Sequence, residues 1–97
     1  MAVEGIHEGL REKLRLYAAL DSDLRLKAFF EIDRKPDISF NELSRKLKIA
    51  RSLLGYHLGV LKAAGLVNVD YERRSKETSK YRLTGEGEKV LKKLASE

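Results

Sequence analysis

Tyr56-His57-Leu58-Gly59-Val60-Leu61-Lys62-Ala63-Ala64-Gly65-Leu66-Val67 decides the fold, because it holds the end of a helix and the start of a strand. Leu54, Leu58 and Leu61 recur at spacings of four and three, the period of one buried helical stripe. Gly65 stands where a helix calls for a left-handed residue just past its last turn. Leu66 is then placed to touch Leu61, the apolar pair of a Schellman ending. Beyond it the period changes to two: Val67, Val69 and Tyr71 share one face of a strand, and Asn68, Asp70 and Glu72 share the other.

Upstream, Ile49-Ala50 reads as a tight turn after a shorter helix. That helix opens on Ser39-Phe40-Asn41-Glu42, a capping box in which the Ser39 hydroxyl accepts from the Glu42 N–H and the Glu42 carboxylate reaches back. Ile38 and Leu43 fit the accompanying hydrophobic staple. Before it, Ser22 to Asp33 reads as a helix with Asp21 as N-cap, ended by Lys35-Pro36-Asp37. Its Leu24, Leu26, Ala28, Phe29, Phe30 and Ile32 point nearly all round, which predicts a helix buried at the centre of the core. From about Ile6 to Leu20, Ile6, Leu10, Leu14 and Tyr17 form a further helical stripe, widened by Leu16 and Leu20.

Downstream, Tyr81 and Leu83 alternate with Lys80 and Arg82. Setting Tyr71 opposite Tyr81 brings Val69 to Leu83, Asp70 to Arg82 and Glu72 to Lys80, so apolar and opposite-charge pairs agree on one hairpin register. Thr84 is then the N-cap of a last helix whose apolar side is Val90, Leu91 and Leu94. Its acidic residues lie early and its lysines late, as the helix dipole favours.

The chain has 97 residues, enough for one small core and not two. It has no cysteine, which excludes disulfides, thiolate zinc sites, iron–sulfur clusters and cysteine nucleophiles. No uncharged run exceeds the ten residues from Ser52 to Leu61, too few to span a membrane, and the N-terminal residues lack a secretory pattern. The expected location is cytoplasmic. The net charge of +5 is unevenly spread: residues 1–38 carry −1, residues 39–84 carry +6, and residues 85–97 are neutral. A polyanion would therefore be met by the middle segment.

A short helix, a tight turn, a helix and then a hairpin make a winged helix-turn-helix, mostly α with a small β wing. Two stretches resemble the ArsR/MarR-like group of winged-helix transcriptional regulators at the residue level. Tyr56 through Val67 is similar to that group's YHLxxLxxAGLV, and Tyr81-Arg82-Leu83-Thr84-Gly85-Glu86-Gly87 is similar to its YRLTxxG. Phe40 through Leu47 resembles the first helix of the motif, and the likeness covers roughly residues 21–96. Ala50 departs from the group's usual Ser, Thr or Asp cap, at a cost on the order of 1 kcal/mol. Gly55 stands where the group often has Ser or Thr. The group's metal sensors use Cys pairs or His/Asp clusters. This chain has only His7 and His57, so neither a metal nor a cofactor is expected.

The resemblance implies one domain over 1–97, with the helix-turn-helix at about 39–64, the wing at about 66–84, and dimerisation helices at about 6–20 and 85–96. In such a motif the second helix enters the major groove. The buried stripe leaves Arg51, Ser52, Gly55, Tyr56, Gly59 and Lys62 pointing outward as DNA-binding candidates. Arg51 could read a guanine edge or hold a phosphate, and the two glycines would allow close approach. At the wing tip, Arg73, Arg74 and Lys76 would meet backbone or minor groove. Arg45, Lys46 and Lys48 could touch the backbone, and His57 is read as structural. A homodimer is expected through Ile6, Leu10, Leu14, Tyr17, Val90, Leu91 and Leu94. The function expected is sequence-specific recognition of double-stranded DNA. A protein-interaction module or an RNA-binding winged helix is the alternative, since fold does not dictate function. No catalytic constellation is present in the sequence.

Overall fold

Helix ends set the architecture. A computed structural model describes residues 8–71 and 78–96. Its elements run α1 (Glu8–Ala19), α2 (Asp23–Arg34), β1 (Ile38–Ser39), α3 (Phe40–Leu47), α4 (Arg51–Ala63), β2 (Val67–Asp70), β3 (Lys80–Leu83) and α5 (Gly85–Ala95).

The expected Schellman ending closes α4. Gly65 has φ +79, its N–H donates to the Lys62 carbonyl at 2.9 Å, and the Leu66 N–H donates to the Leu61 carbonyl at 3.0 Å. Leu61 and Leu66 are both fully buried. Ser39 caps α3, its Oγ accepting from the Glu42 N–H at 3.0 Å. The Glu42 carboxylate is taken mainly by Lys35, whose ammonium holds it below the usual carboxylate pKa, with the Ser39 N–H a lesser contributor. Thr84 caps α5 by accepting from the Gly87 N–H at 2.9 Å. Ala50 supplies no side-chain cap to α4, as its methyl group dictates.

Expectations for α2 and for the sheet are corrected. Ser22, not Asp21, caps α2: its Oγ accepts from the Arg25 N–H at 3.2 Å. Helix α2 is not buried all round. Ala28, Phe29 and Ile32 are buried, but Leu24 and Leu26 are half-buried and Phe30 is 40% exposed, because only one face meets the core. The sheet has three antiparallel strands in the order β1-β3-β2, not two. Ile38, expected only as a staple, lies fully buried opposite Tyr81.

The hairpin register is offset by two from expectation. Val67 faces Leu83, Asn68 faces Arg82, Val69 faces Tyr81 and Asp70 faces Lys80. An offset of two keeps every side chain on its face, so alternation alone does not decide it. The base of the hairpin does: the Thr84 N–H donates to the Leu66 carbonyl at 3.0 Å and Thr84 Oγ1 donates to the Gly65 carbonyl at 2.6 Å. Val67 is thereby buried, while Tyr71 is 58% exposed. Arg82 pairs with Asp37 in place of Asp70, its Nη2 at 2.6 Å from Oδ2 and Nε at 3.3 Å from Oδ1. The expected Glu72–Lys80 pair lies outside the described residues.

Phe29 and Ile32 of α2, Leu43 of α3, Leu54, Leu58 and Leu61 of α4, and Leu66, Val67 and Tyr81 of the sheet form the core. Both flanking helices also contribute to it. Leu16, Ala19 and Leu20 close it at the end of α1, and Val90 closes it from α5.

Candidate nucleic-acid interface

The core stripe of α4 dictates which residues it shows to solvent. With Leu54, His57, Leu58 and Leu61 buried, Arg51, Ser52, Tyr56, Gly59 and Lys62 are exposed along the opposite side, and Gly55 is half-buried at its margin. Five of the six expected contact residues on this helix thus share an open surface.

Tyr56 is 61% exposed, although its ring base is engaged. The ring lies edge-on to His57 at 5.3 Å between centroids, and the Arg25 guanidinium sits 5.6 Å from its centre. Among the described residues, a Cβ added at Gly59 would meet no atom within 4 Å, so their packing does not require glycine there. Arg51 Nη2 lies 3.5 Å from Asn41 Oδ1, at the outer limit of a hydrogen bond to the first turn of α3.

Lys62 is exposed but engaged. Its Nζ donates to the Tyr71 hydroxyl at 2.8 Å and lies 4.7 Å from the centre of that ring. It therefore ties α4 to the end of β2, and Tyr71 joins the surface as a residue the sequence reading placed only on a strand face. Lys46 bonds Glu31 of α2 at 3.4 Å, while Arg45 and Lys48 are exposed. The wing-tip residues Arg73, Arg74 and Lys76 lie outside the described residues.

His57 is buried and takes a structural position. Its Nδ1 accepts from Arg25 Nε at 3.1 Å, and burial, with the Arg25 charge second, pushes its pKa below the usual 6.5. Among the described residues no group of His, Asp or Glu is arranged to hold a metal ion, and no helix is long and apolar enough to cross a membrane.

Of the expected dimer residues, Leu10, Leu14 and Tyr17 are 47%, 60% and 45% exposed on α1. Val90 is buried in the chain's own core, and Leu91 and Leu94 pack half-buried against it. The last helix thus offers less free apolar surface than its sequence pattern suggests. Ile6 lies outside the described residues.

The family model for bacterial regulatory proteins of the arsR family (HTH_5) matches residues 24–69, from α2 through β2. HlyU from Vibrio cholerae N16961 has the same fold at a TM-score of 0.79, with 27% identity over 92% of this chain and 94% of its own. The chain is thus similar to ArsR/MarR-like winged-helix regulators in both sequence motif and fold. The HlyU transcriptional regulator from Vibrio vulnificus CMCP6 is similar at 27% identity and a TM-score of 0.73, covering 99% of this chain and 97% of its own. An ArsR-like transcriptional regulator from Rhodococcus sp. RHA1 is similar at 26% identity and a TM-score of 0.70, covering 93% and 85%. No curated protein matches the chain. These matches support a DNA-binding transcriptional regulator, and α3 and α4 lie within the matched segment.

Proposed function

We propose that this regulator reads double-stranded DNA by sequence, as a cytoplasmic homodimer without enzymatic activity. Helix α4 lies in the major groove and the wing lies on the backbone or minor groove. The observation that carries the reading is the exposed row of Arg51, Ser52, Tyr56 and Gly59, which includes a glycine that no contact among the described residues requires. Arg51 supplies a guanidinium suited to a guanine edge, Ser52 and Tyr56 supply hydroxyls for phosphate or base, and Gly59 lets the helix come close. Arg73, Arg74 and Lys76 of the wing supply phosphate contacts. The domain limits at about 39–64 and 66–84 belong to the same reading.

Leu10, Leu14 and Tyr17 supply the apolar dimer surface on α1, and Leu91, Leu94 and Ile6 are assigned to the same interface. Two recognition helices related by a two-fold axis would meet half-sites about 34–36 Å apart, or a multiple of that distance.

Selection of bound duplexes from random DNA, followed by a salt titration on the best of them, tests the proposal. Log affinity should fall with log salt at about 0.9 per phosphate contact. Arg51→Ala should relax sequence preference at one base position, whereas Arg74→Ala should weaken all duplexes alike. Salt-independent binding, or equal affinity for wild type and these variants, would refute it. Preferential binding of structured RNA in competition would replace it with the RNA reading.

A further inference from the structure

Arg25 is half-buried and touches three residues on two other helices. It sits in the first turn of α2, behind α4. Its Nη1 donates to the Ala19 carbonyl at 3.0 Å, its Nε donates to His57 Nδ1 at 3.1 Å, and its guanidinium carbon lies 5.6 Å from the centre of the Tyr56 ring.

Each contact has its own chemistry. Ala19 is the last residue of α1, where carbonyls lack partners within the helix and a positive charge is favoured. No basic residue occupies the last turn of α1, so Arg25 supplies that charge from the next helix. A hydrogen bond into Nδ1 requires that nitrogen to be unprotonated, so His57 is held neutral with its proton on Nε2. The ring of Tyr56 presents its electron-rich face to a guanidinium, and the planar fork of arginine can donate two bonds while lying against a ring. The groove between α1 and α4 is lined, besides Arg25, by Arg15 and by the small side chains Ala18, Ala19, Val60, Ala63 and Ala64.

We propose that Arg25 is a positioning residue for DNA recognition: holding the Ala19 carbonyl and neutral His57, it fixes the direction in which α4 presents Tyr56 to the duplex. The proposal rests on the reading that Tyr56 meets DNA. It adds that the aim of this side chain is set from behind, by a cation that itself touches no DNA.

The test is a double-mutant cycle on the full chain, read by fluorescence anisotropy with the selected duplex. Tyr56→Ala and Arg25→Met should each weaken binding by about tenfold, a change on the scale of one good contact. The double variant should bind no worse than the weaker single one, because Arg25 acts only through Tyr56. Losses that multiply would overturn the proposal, as would an Arg25→Met protein that binds normally. A Tyr56→Ala protein with full affinity would instead refute the reading that Tyr56 meets DNA.

Arg25→Lys guards against a folding defect. It keeps the charge but cannot bond the Ala19 carbonyl and His57 while lying flat on the ring. It should unfold near the wild-type temperature and still lose affinity, and that loss should vanish in the Tyr56→Ala background. The ¹⁵N shifts of the His57 ring give a separate readout. Wild type should show the Nε2–H form, and Arg25→Met should lose that preference; an unchanged ratio would count against the hold on His57.

Discussion

Gly87 shows how one missing methyl group can set the position of a helix. A Cβ there would lie 2.2 Å from the Leu66 carbonyl oxygen, a backbone atom fixed by its bond from the Thr84 N–H. Gly85, two residues earlier, has nothing within 4 Å of the equivalent point. Gly87→Ala should therefore destabilise the protein by about 1–3 kcal/mol, whereas Gly85→Ala should be neutral or gain up to about 1 kcal/mol. Thermal unfolding checks the pair, at about 4–8 °C per kcal/mol for a domain of this size. His57 gives a second prediction at this scale. Its pKa is lowered in the folded chain, so the unfolded chain binds the proton more readily. Stability should be full above pH 6.5 and decline as pH falls below it toward the lowered value. The urea midpoint should drop between pH 7.5 and 5.5 in wild type, and drop less in His57→Gln, which cannot take the proton.

At the scale of elements, the two helices of the motif carry opposite kinds of local cost. Helix α3 ends on Lys48 in the left-handed region, φ 55, where an L side chain is disfavoured. Lys48→Gly should raise stability by about 0.5–1 kcal/mol without touching the core. Helix α4 carries Gly59 in open space, so Gly59→Ala should also raise stability, by up to about 1 kcal/mol. It should weaken DNA binding nonetheless, because the added methyl group points at the duplex. A chemical-denaturation curve and a binding isotherm on the same variant separate the two effects, and unchanged affinity would remove close approach as the reason for this glycine. Helix ends were legible in the sequence for a physical reason: caps at Ser39 and Thr84 and the stop at Gly65 are local, and each is written within a few residues. The strand register was not, because an offset of two preserves alternation and the deciding bonds sit at the hairpin base. The third strand is only Ile38–Ser39, too short to show a period. On α4 the outward residues followed from the buried leucines. Arg25 did not, since its bond to His57 joins positions 32 apart in the chain.

At the scale of the molecule, α1 connects the two proposed activities. One side of its C-terminal end closes the core through Leu16, Ala19 and Leu20, while Leu10, Leu14 and Tyr17 remain open. Its last carbonyl is held by Arg25, which also bonds α4, the helix proposed to face DNA. An interface formed on α1 would therefore set the spacing of two recognition helices and load the contact that aims Tyr56. Leu14→Glu tests this directly, since Leu14 is the most exposed of the three and its replacement disturbs no buried contact. The variant should unfold within a few degrees of wild type, sediment as a monomer where wild type sediments as a dimer, and bind the two-fold site far more weakly. Its salt dependence should fall by about half, because only one subunit's phosphate contacts remain. A wild-type protein that sediments as a monomer at tens of micromolar would exclude the dimer. A Leu14→Glu protein that stays dimeric would move the interface elsewhere on the molecule.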